Sequence, residues 1–345
     1  MAVPAPNVLP TQGEIDKAAA ILQSDGLVAF PTETVYGLGA DATSTVALER
    51  IFDAKGRPKT DPLIVHVDSI QQAAALGEMR EPGSPAMRLA GEFWPGPLTV
   101  IVRRRRPAES GSLSDLVGGG GVTVGMRCPA HPTALALLAS AGIPIAAPSA
   151  NRFGRVSPTT ADHVREELGN RVDLILDGGP TPLGIESTVV DCTAEIPRVV
   201  RPGGLALEDL QEFLGVVEFD ERVSESPDRA ATSPGVFAGH YAPRVSVVLV
   251  EGAQSQAEAL RDLLLAEKIN AKLLELPLMA TEAAPVLYSR LREADHGSTD
   301  VLLASAFDPA GLGRAINDRL FRAAHGHIAP DASPDTVMGI VARVL

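Results

Sequence analysis

The sequence contains 345 residues, of which 45% are hydrophobic, and its formal net charge at pH 7 is −13. A chain of this length and composition can bury a large core and favours two domains over one. The acidic balance disfavours extensive nucleic-acid binding, because that binding draws most of its affinity from cationic side chains on phosphates. Any anion site in this protein is therefore expected to be local.

Neither a membrane span nor a secretory leader is predicted. The longest apolar stretch, residues 135–150, is interrupted by a glycine and two prolines, and the N-terminus lacks the basic and apolar regions of a signal peptide. Cys128 and Cys192 stand far apart without a CxxC spacing, so neither a disulfide framework nor a zinc site is indicated. A cytoplasmic protein with reduced thiols is the expectation.

Short β-branched runs alternate with amphipathic segments of helical length up to about residue 215, which predicts an α/β domain. The predicted strands, in chain order, are Leu27–Phe30, Leu63–Val67, Leu98–Val102, Val122–Arg127, Ile143–Ala147, Leu174–Leu176 and Thr188–Asp191. The predicted helices are Val46–Ala54, Pro85–Trp94, Pro132–Ala141 and Ala161–Leu168. The helix-free stretch between residues 98 and 127 favours a mixed sheet over a purely parallel one.

The pattern changes after residue 215. Residues 216–244 are rich in Ser, Pro, Ala and charge without sustained periodicity, which is typical of a long linker. From residue 245 the alternation resumes, with VSVVLV, AKLLEL and DVLLAS as predicted strands and residues 253–266 and 311–324 as predicted helices. The expected organisation is a first domain at 8–215, a linker at 216–244 and a small α/β domain at 245–345.

Residues suited to chemistry gather where predicted strands end. FPTETVYGLGADA, residues 30–42, continues from a buried strand with three hydroxyls and the carboxylate of Glu33 close together. KGRPKTDPLIVHV, residues 55–67, places Lys55, Arg57 and Lys59 within five residues and interrupts an apolar strand with His66. These cations suit a phosphate, whereas a solvated basic turn and a satisfied core histidine are the competing interpretations.

Two arginines lie where a strand is expected to end, Arg127 in VGMRCP, two residues before a proline, and Arg201 in RPGG, directly before a turn. Each offers a planar fork of donors to a carboxylate or phosphate, with a strand-end salt bridge as the alternative. APSANRFGRVSPT adds Ser149, Asn151 and Ser157 as neutral hydrogen-bonding groups, and Ser149 lies outside any GxSxG elbow. The chain has neither a Walker A sequence nor a dinucleotide fingerprint, so arginines with hydroxyl and amide donors would have to cradle a phosphate.

Taken together, these segments resemble the YrdC/Sua5 family, the threonylcarbamoyl-AMP synthases. The resemblance covers residues from about 10 to 215, where seven motifs occur in order. They are FPTETVYGLGADA, KGRPKTDPLIVHV, FWPGPLTVIV, VGMRCP, APSANRFGRVSPT, IESTVVD and RPGG. SPGVFAGHYAPR, residues 233–244, is similar to the linker of the long, two-domain form, and residues 245–345 to its C-terminal domain.

The resemblance implies a YrdC-like twisted mixed sheet with helices and a concave, positively charged cavity, followed by a small Rossmann-like α/β domain. It implies that L-threonine, bicarbonate and ATP give L-threonylcarbamoyladenylate and pyrophosphate. The product would supply the threonylcarbamoyl group of t6A at adenosine 37 of tRNA, so the downstream t6A transferase machinery is a candidate partner. Mg2+ is expected with ATP, no metal bound by the protein alone is predicted, and neither membrane contact nor strong direct nucleic-acid binding is expected.

The resemblance also assigns roles to individual residues. Lys55 and Arg57 would be catalytic, and residues 32–36 would form a polar wall of the threonine and carbamate pocket. The threonine contacts would be Thr32, Thr34, His66, Arg127, Ala147 and Ser187. The ATP contacts would be Lys55, Arg57, Asp61, Thr123, Ser149, Asn151, Ser157, Arg201, His240 and Tyr241. An acid at Asp61 would repel phosphates unless it faces Mg2+ or solvent, and His240 with Tyr241 would close over the nucleotide from the linker.

Two other functions stay open at this level. One is an RNA-binding module of the same fold, and the other is a different carbamoyl or adenylyl transferase, since a fold does not fix a substrate. Pyrophosphate release that requires both threonine and bicarbonate separates the synthase from both of them.

Overall fold

A computed structural model describes residues 9–79, 81–105, 112–219, 240–252 and 254–344. The chain divides into two units, one formed by residues 1–153 and 157–237 and the other by residues 154–156 and 238–345. Most of the predicted linker, residues 220–239, lies outside the described residues. The predicted domain boundaries at residues 215 and 245 therefore stay a prediction.

The described part of the first unit contains ten strands and seven α-helices. The strands are β1 Val28–Pro31, β2 Tyr36–Asp41, β3 Ile64–His66, β4 Leu98–Arg103, β5 Thr123–Arg127, β6 Ile145–Ala146, β7 Leu174–Ile175, β8 Thr188–Asp191, β9 Arg198–Arg201 and β10 Glu218–Phe219. The helices are α1 Gln12–Gln23, α2 Thr45–Lys55, α3 Ile70–Leu76, α4 Pro85–Phe93, α5 Pro132–Ala141, α6 Ala161–Leu168 and α7 Leu207–Leu214.

All ten strands form one sheet in the order β10-β9-β8-β4-β5-β3-β6-β2-β1-β7. The sheet is mixed, as the sequence predicts, because β4 pairs antiparallel with β5 while β3 pairs parallel with β5. In that parallel pair His66 lies beside Arg127. Strand pairing thus places two predicted site residues next to each other although 60 residues separate them along the chain.

Successive side chains of the central strands alternate between two faces of the sheet. Val65, Val100, Val124 and Met126 belong to the main hydrophobic core. Residues on and beside these strands line a small recess on the opposite face. Its lining is Pro62, Leu63, Ile64, Thr99, Ile101, Thr123, Gly125 and Val189. Thr123, a predicted ATP contact, is therefore on a cavity wall.

Strand β2 is one of the elements that the sequence analysis does not predict. Residues 36–41 return antiparallel to β1. A Cβ on Gly39 would lie only 2.7 Å from Cε1 of Phe30 and 2.9 Å from Cγ2 of Ile145. Glycine is required there because the neighbouring side chains pack directly against the backbone.

The second unit is an all-parallel α/β sheet with the strand order β12-β13-β11-β14. Its strands are β11 Ser246–Val250, β12 Ala271–Leu273, β13 Val301–Ser305 and β14 Ile328–Ala329, and its helices are α8 Gln254–Ala266, α9 Ala280–Glu293, α10 Leu312–Ala323 and α11 Pro334–Val344. The expected small α/β domain is confirmed. Across the described ranges, none of the helices combines the length and the apolar character needed to cross a membrane.

Candidate active site

The turn between β1 and β2 is closed by a hydroxyl group. Oγ1 of Thr32 donates to the carbonyl of Val35 at 2.7 Å and accepts the backbone N–H groups of Thr34 and Val35. The hydroxyls of Thr32 and Thr34 also lie 2.7 Å apart. A threonine that bonds to its own turn in this way fixes the backbone locally. Glu33 and Thr34 are therefore held in place.

Arg127 lies against this turn at the end of β5. Its Nη1 donates to Oγ1 of Thr34 at 2.9 Å, and its Nε donates to the carbonyl of Gly96 at 3.1 Å. Its Nη2 lies 2.6 Å from Oε1 of Glu33, and both side chains are buried. Thr32, Glu33, Thr34 and Arg127 are called the Arg127 cluster below. The sequence predicts three of its members, whereas Glu33 appears there only as part of a polar wall.

His66 is buried beside this cluster, and the ring of Phe30 meets it edge-on at 6.0 Å. Burial, with a further contribution from Arg127, lowers the pKa of His66 from 6.5 to about 3. The imidazole is consequently neutral near pH 7, which suits hydrogen bonding rather than proton donation. Ala147 is close by along the sheet, since its N–H donates to the carbonyl of Ile64 at 2.9 Å.

Lys55 ends helix α2, and its Nζ donates to the carbonyls of Ser149 and Asn151. The lysine therefore holds the end of α2 against residues 149–151, which include two further predicted ATP contacts, Ser149 and Asn151. Burial and the neighbouring Arg57 lower the pKa of Lys55 well below its ordinary value. An incoming anion would favour the charged form of this lysine.

Gly56 follows with φ 65°, a left-handed conformation that turns the chain out of α2. Nη2 of Arg57 then pairs with Oδ2 of Asp61 at 2.9 Å and donates to the carbonyl of Pro62 at 2.8 Å. Asp61 is completely buried. Burial outweighs the attraction of Arg57, Lys55 and Arg201 and raises the pKa of this carboxyl.

Lys55, Arg57, Asp61 and Arg201 are called the Asp61 cluster, because all three cations act on this carboxylate. Asp61 does not face solvent. The sequence analysis did not predict that Arg57 would compensate the negative charge of Asp61. The contact of Asp61 with ATP stays a prediction.

Ser187 precedes β8 and is bonded to Arg201 at the end of β9. Its Oγ lies 2.8 Å from Oγ1 of Thr99 and accepts from Nη2 of Arg201 at 3.1 Å. Its carbonyl accepts from the same nitrogen at 2.9 Å. A Cβ on Gly203 would lie 2.4 Å from the backbone of residues 186–188, so the RPGG turn needs this glycine for close packing. Ser187, predicted to contact threonine, thus contacts an arginine predicted to contact ATP.

Two more predicted ATP contacts, Ser157 and Asn151, are held in place by hydrogen bonds. Oγ of Ser157 donates to Oε1 of Glu186 at 2.7 Å, and Nδ2 of Asn151 donates to the carbonyl of Arg152 at 2.8 Å. Ser157 is completely buried. The sequence analysis did not predict that Glu186 holds Ser157, although Glu186 lies in the IESTVVD motif.

His240 and Tyr241 belong to the second unit. The ring of Tyr241 stacks on Tyr288 with centroids 5.7 Å apart, and the guanidinium of Arg319 lies 5.0 Å from the same ring. The ring of His240 lies 5.8 Å from that of Tyr241. These contacts hold Tyr241 in the second unit, and the predicted closure of both residues over ATP stays a prediction.

Neither cysteine is suited to act as a nucleophile. Burial raises the pKa of Cys128 to about 11 and that of Cys192 to about 12, and both thiols are free of disulfides. Within the described ranges, no group of three or more His, Cys, Asp or Glu side chains is arranged to hold a metal ion.

Comparisons with known proteins match both parts of the chain. The family model described as "Telomere recombination" (Sua5_yciO_yrdC) matches residues 20–203, and the one described as "Threonylcarbamoyl-AMP synthase, C-terminal domain" matches residues 205–325. Threonylcarbamoyl-AMP synthase of Bacillus subtilis is 39% identical over 333 residues, which cover 91% of this chain and 94% of that protein. The enzyme of the same name from Pyrococcus abyssi is 39% identical over 321 residues, covering 89% and 92%.

A solved structure is similar over nearly the whole length. The crystal structure of P. abyssi Sua5 complexed with L-threonine has a TM-score of 0.86 and 38% identity, and the match covers 93% of this chain and 96% of that one. The fold and the site define a two-unit α/β protein whose first unit contains buried clusters of basic and acidic side chains. The chain belongs to the YrdC/Sua5 family of threonylcarbamoyl-AMP synthases. The family predicted from the seven motifs is confirmed.

Proposed function

We propose that the chain is an L-threonylcarbamoyladenylate synthase, which converts L-threonine, bicarbonate and ATP into threonylcarbamoyl-AMP and pyrophosphate. Membership of the family supports this function. Within the candidate site, this function is best supported by two buried charge clusters in the same unit, one around Arg127 and one around Asp61.

The Arg127 cluster suits an amino acid. A guanidinium held by Thr34 and Gly96 presents a fixed fork to a carboxylate. The two threonine hydroxyls and the neutral His66 add hydrogen-bonding groups beside it. The similar P. abyssi protein was solved as a complex with L-threonine, which supports the same ligand here.

The Asp61 cluster suits a nucleotide triphosphate. Three buried basic residues, Lys55, Arg57 and Arg201, all interact with the carboxylate of Asp61, and Lys55 is also attracted by Glu167. These basic groups lie in a low-dielectric environment, where a positive charge acts strongly on phosphate oxygens. We infer that these residues hold the phosphates, with Mg2+ entering as part of the MgATP substrate.

The reaction then needs positioning and charge stabilisation rather than a covalent nucleophile. The threonine amine forms a carbamate with bicarbonate, a carbamate oxygen attacks the α-phosphorus, and pyrophosphate leaves from the opposite side. Lys55 and Arg57 would stabilise the charge that develops on the phosphate oxygens. The product would serve t6A formation on tRNA in the cytoplasm, with the t6A transferase machinery as a candidate partner.

The test is an assay of pyrophosphate release in which threonine, bicarbonate and ATP are omitted one at a time. Release that requires all three supports the synthase. Release that does not require threonine, or accepts another amino acid equally well, would favour a related transferase. Salt-sensitive RNA binding without turnover would favour an RNA-binding module.

Ser187→Ala is expected to raise the threonine concentration needed for half-maximal pyrophosphate release about tenfold, corresponding to one hydrogen bond. Because the Ser187 hydroxyl also accepts from Arg201, the ATP requirement should be measured in the same preparation. Ser140→Ala, which removes a hydroxyl that donates to Asp16, is the control and should match the wild type. A changed ATP requirement with normal threonine dependence would move Ser187 to the nucleotide site.

Asp61→Asn is expected to lower the ATP concentration needed for half-maximal activity by a factor of about five. Removing a buried negative charge near the phosphates relieves a repulsion of about 1 kcal/mol. The amide oxygen still accepts a hydrogen bond from Arg57, so this arginine should stay in place. A higher ATP requirement in the variant would show that the carboxylate takes part in binding, through Arg57 or through Mg2+.

A further inference from the structure

The ion pair between Glu33 and Arg127 leaves hydrogen-bonding capacity unused. Oε1 of Glu33 lies 2.6 Å from Nη2 of Arg127, and both residues are more than nine-tenths buried. Across the described part of the chain, neither carboxylate oxygen of Glu33 has a hydrogen-bond partner of acceptable geometry, and nor does Nη2 of Arg127. Buried polar atoms without partners are costly and uncommon, so this group of two acceptors and one donor calls for a ligand.

A zwitterionic amino acid has the complementary groups. Its α-carboxylate accepts hydrogen bonds and its α-ammonium donates them, and both are attached to one carbon atom. We propose that Glu33 binds the α-ammonium of the amino-acid substrate and removes its proton, while Arg127 binds the α-carboxylate. The inference rests on the proposed function, because it concerns the substrate that undergoes carbamate formation.

The chemistry of the first step needs such a group. An ammonium nitrogen has no free electron pair, so one proton must leave it, and Glu33 accepts that proton. The amine then attacks the carbon of bicarbonate, a C–N bond forms, and the C–OH bond breaks as hydroxide leaves with the second amine proton as water. The products are the carbamate and water. The proton on Glu33 passes to solvent, so the step releases one proton overall.

Hydrogen bonds from the surrounding chain fix the position of Glu33. The carbonyl of Glu33 accepts the N–H of Leu183 at 2.9 Å, and the hydroxyl of Thr32 closes the turn around it. Oγ1 of Thr34, next in the chain, accepts from Arg127. The carboxylate and the guanidinium are thus fixed relative to each other before the substrate arrives, which reduces the entropic cost of binding.

The first experiment separates amine binding from the positioning of Arg127. L-Threonine and (R)-3-hydroxybutyrate, which lacks the amine, are titrated by calorimetry into the wild type and Glu33→Gln. The variant is expected to bind threonine at least about tenfold more weakly, as for one lost charged hydrogen bond, and to bind 3-hydroxybutyrate within about twofold of the wild type. Equal losses for both ligands, or no loss for threonine, would overturn the proposal.

The second experiment tests proton removal. Pyrophosphate release at saturating threonine is measured from pH 7 to pH 9 in both proteins. The rate of Glu33→Gln is expected to rise about tenfold per pH unit, because only threonine that already carries a free amine can react, whereas the wild-type rate rises less steeply. Parallel profiles would contradict a role for Glu33 as base.

Two controls separate the loss of Glu33 itself from a general effect of charge removal and from unfolding. Glu218→Gln removes the same charge from an exposed pair with Arg198 at the edge of the sheet and should match the wild type. Trp94, the only tryptophan, is buried in the first unit and reports whether Glu33→Gln is folded. A wild type that releases no pyrophosphate with threonine and bicarbonate would reject the proposed function itself. An active wild type with an indistinguishable Glu33→Gln variant would reject only the role of Glu33.

Discussion

Arg127→Ala is expected to raise the threonine requirement for pyrophosphate release, and Arg57→Ala the ATP requirement, each by a factor of about 30 to 1,000. Removing a fixed, charged donor from a buried site costs about 2 to 4 kcal/mol of transition-state stabilisation. The two arginines have separate partners, Glu33 and Thr34 for Arg127 and Asp61 with Pro62 for Arg57. Their losses should therefore fall on different substrates.

Each alanine variant leaves a buried carboxylate without its pair, which is itself strongly destabilising. Arg127→Lys and Arg57→Lys therefore accompany them, since lysine keeps the charge but lacks the planar fork. The lysine variants should fold like the wild type, with a smaller shift in the same substrate requirement. Steady-state kinetics with each substrate varied in turn, and Trp94 fluorescence as the measure of folding, give the comparison. Normal turnover in both alanine variants would show that the two clusters are not the binding sites.

Local signals predicted several elements of the fold correctly. Helices α5 and α6 have the predicted bounds, because Pro132 begins one of them and the side chain of Thr160 caps the other. Strand β8 also has its predicted bounds. These signals depend only on neighbours in the chain, where propensity and capping act.

Elements that depend on tertiary packing were missed. Strand β2 contains Gly37 and Gly39, which weaken a strand signal but are needed for the close approach of Phe30 and Ala147. Helix α9 contains Pro285, a residue that argues against a helix interior when the sequence is considered alone. In both cases the surrounding structure overrides the local preference.

The candidate site shows the same difference between what local signals predict and what tertiary packing decides. Motifs identified most of the candidate residues, but the pairing of those residues depends on strand register. Glu33 meets Arg127 across 94 residues, and Ser187 meets Arg201 because β8 lies beside β9. The Arg57–Asp61 pair spans only four residues, but these lie in the loop after α2 and not on a helix, so the spacing did not predict the contact. Its burial was not predicted either, because burial is set by the whole unit.

The stability of the first unit in mild acid is expected to depend on His66. Burial and Arg127 lower the pKa of this imidazole from 6.5 to about 3. Below pH 6.5 the unfolded chain binds a proton on His66, whereas the folded state does not until the pH approaches 3. The unfolded state therefore binds more protons in this range, and the free energy of unfolding decreases as the pH falls. Between pH 7.5 and pH 5 this one group removes about 2 kcal/mol.

His66→Gln removes the titration while keeping a neutral polar side chain, so its free energy of unfolding should decrease by about 2 kcal/mol less than that of the wild type over the same interval. Urea unfolding followed by Trp94 fluorescence measures the first unit, since the second unit contains no tryptophan. His296→Gln, an exposed substitution in the second unit, should follow the wild type. Equal losses in His66→Gln and the wild type would mean that His66 is protonated in the folded state at pH 5. The pKa of the imidazole would then lie near its ordinary value beside Arg127, and the conclusion that burial keeps His66 neutral in mild acid would have to be abandoned.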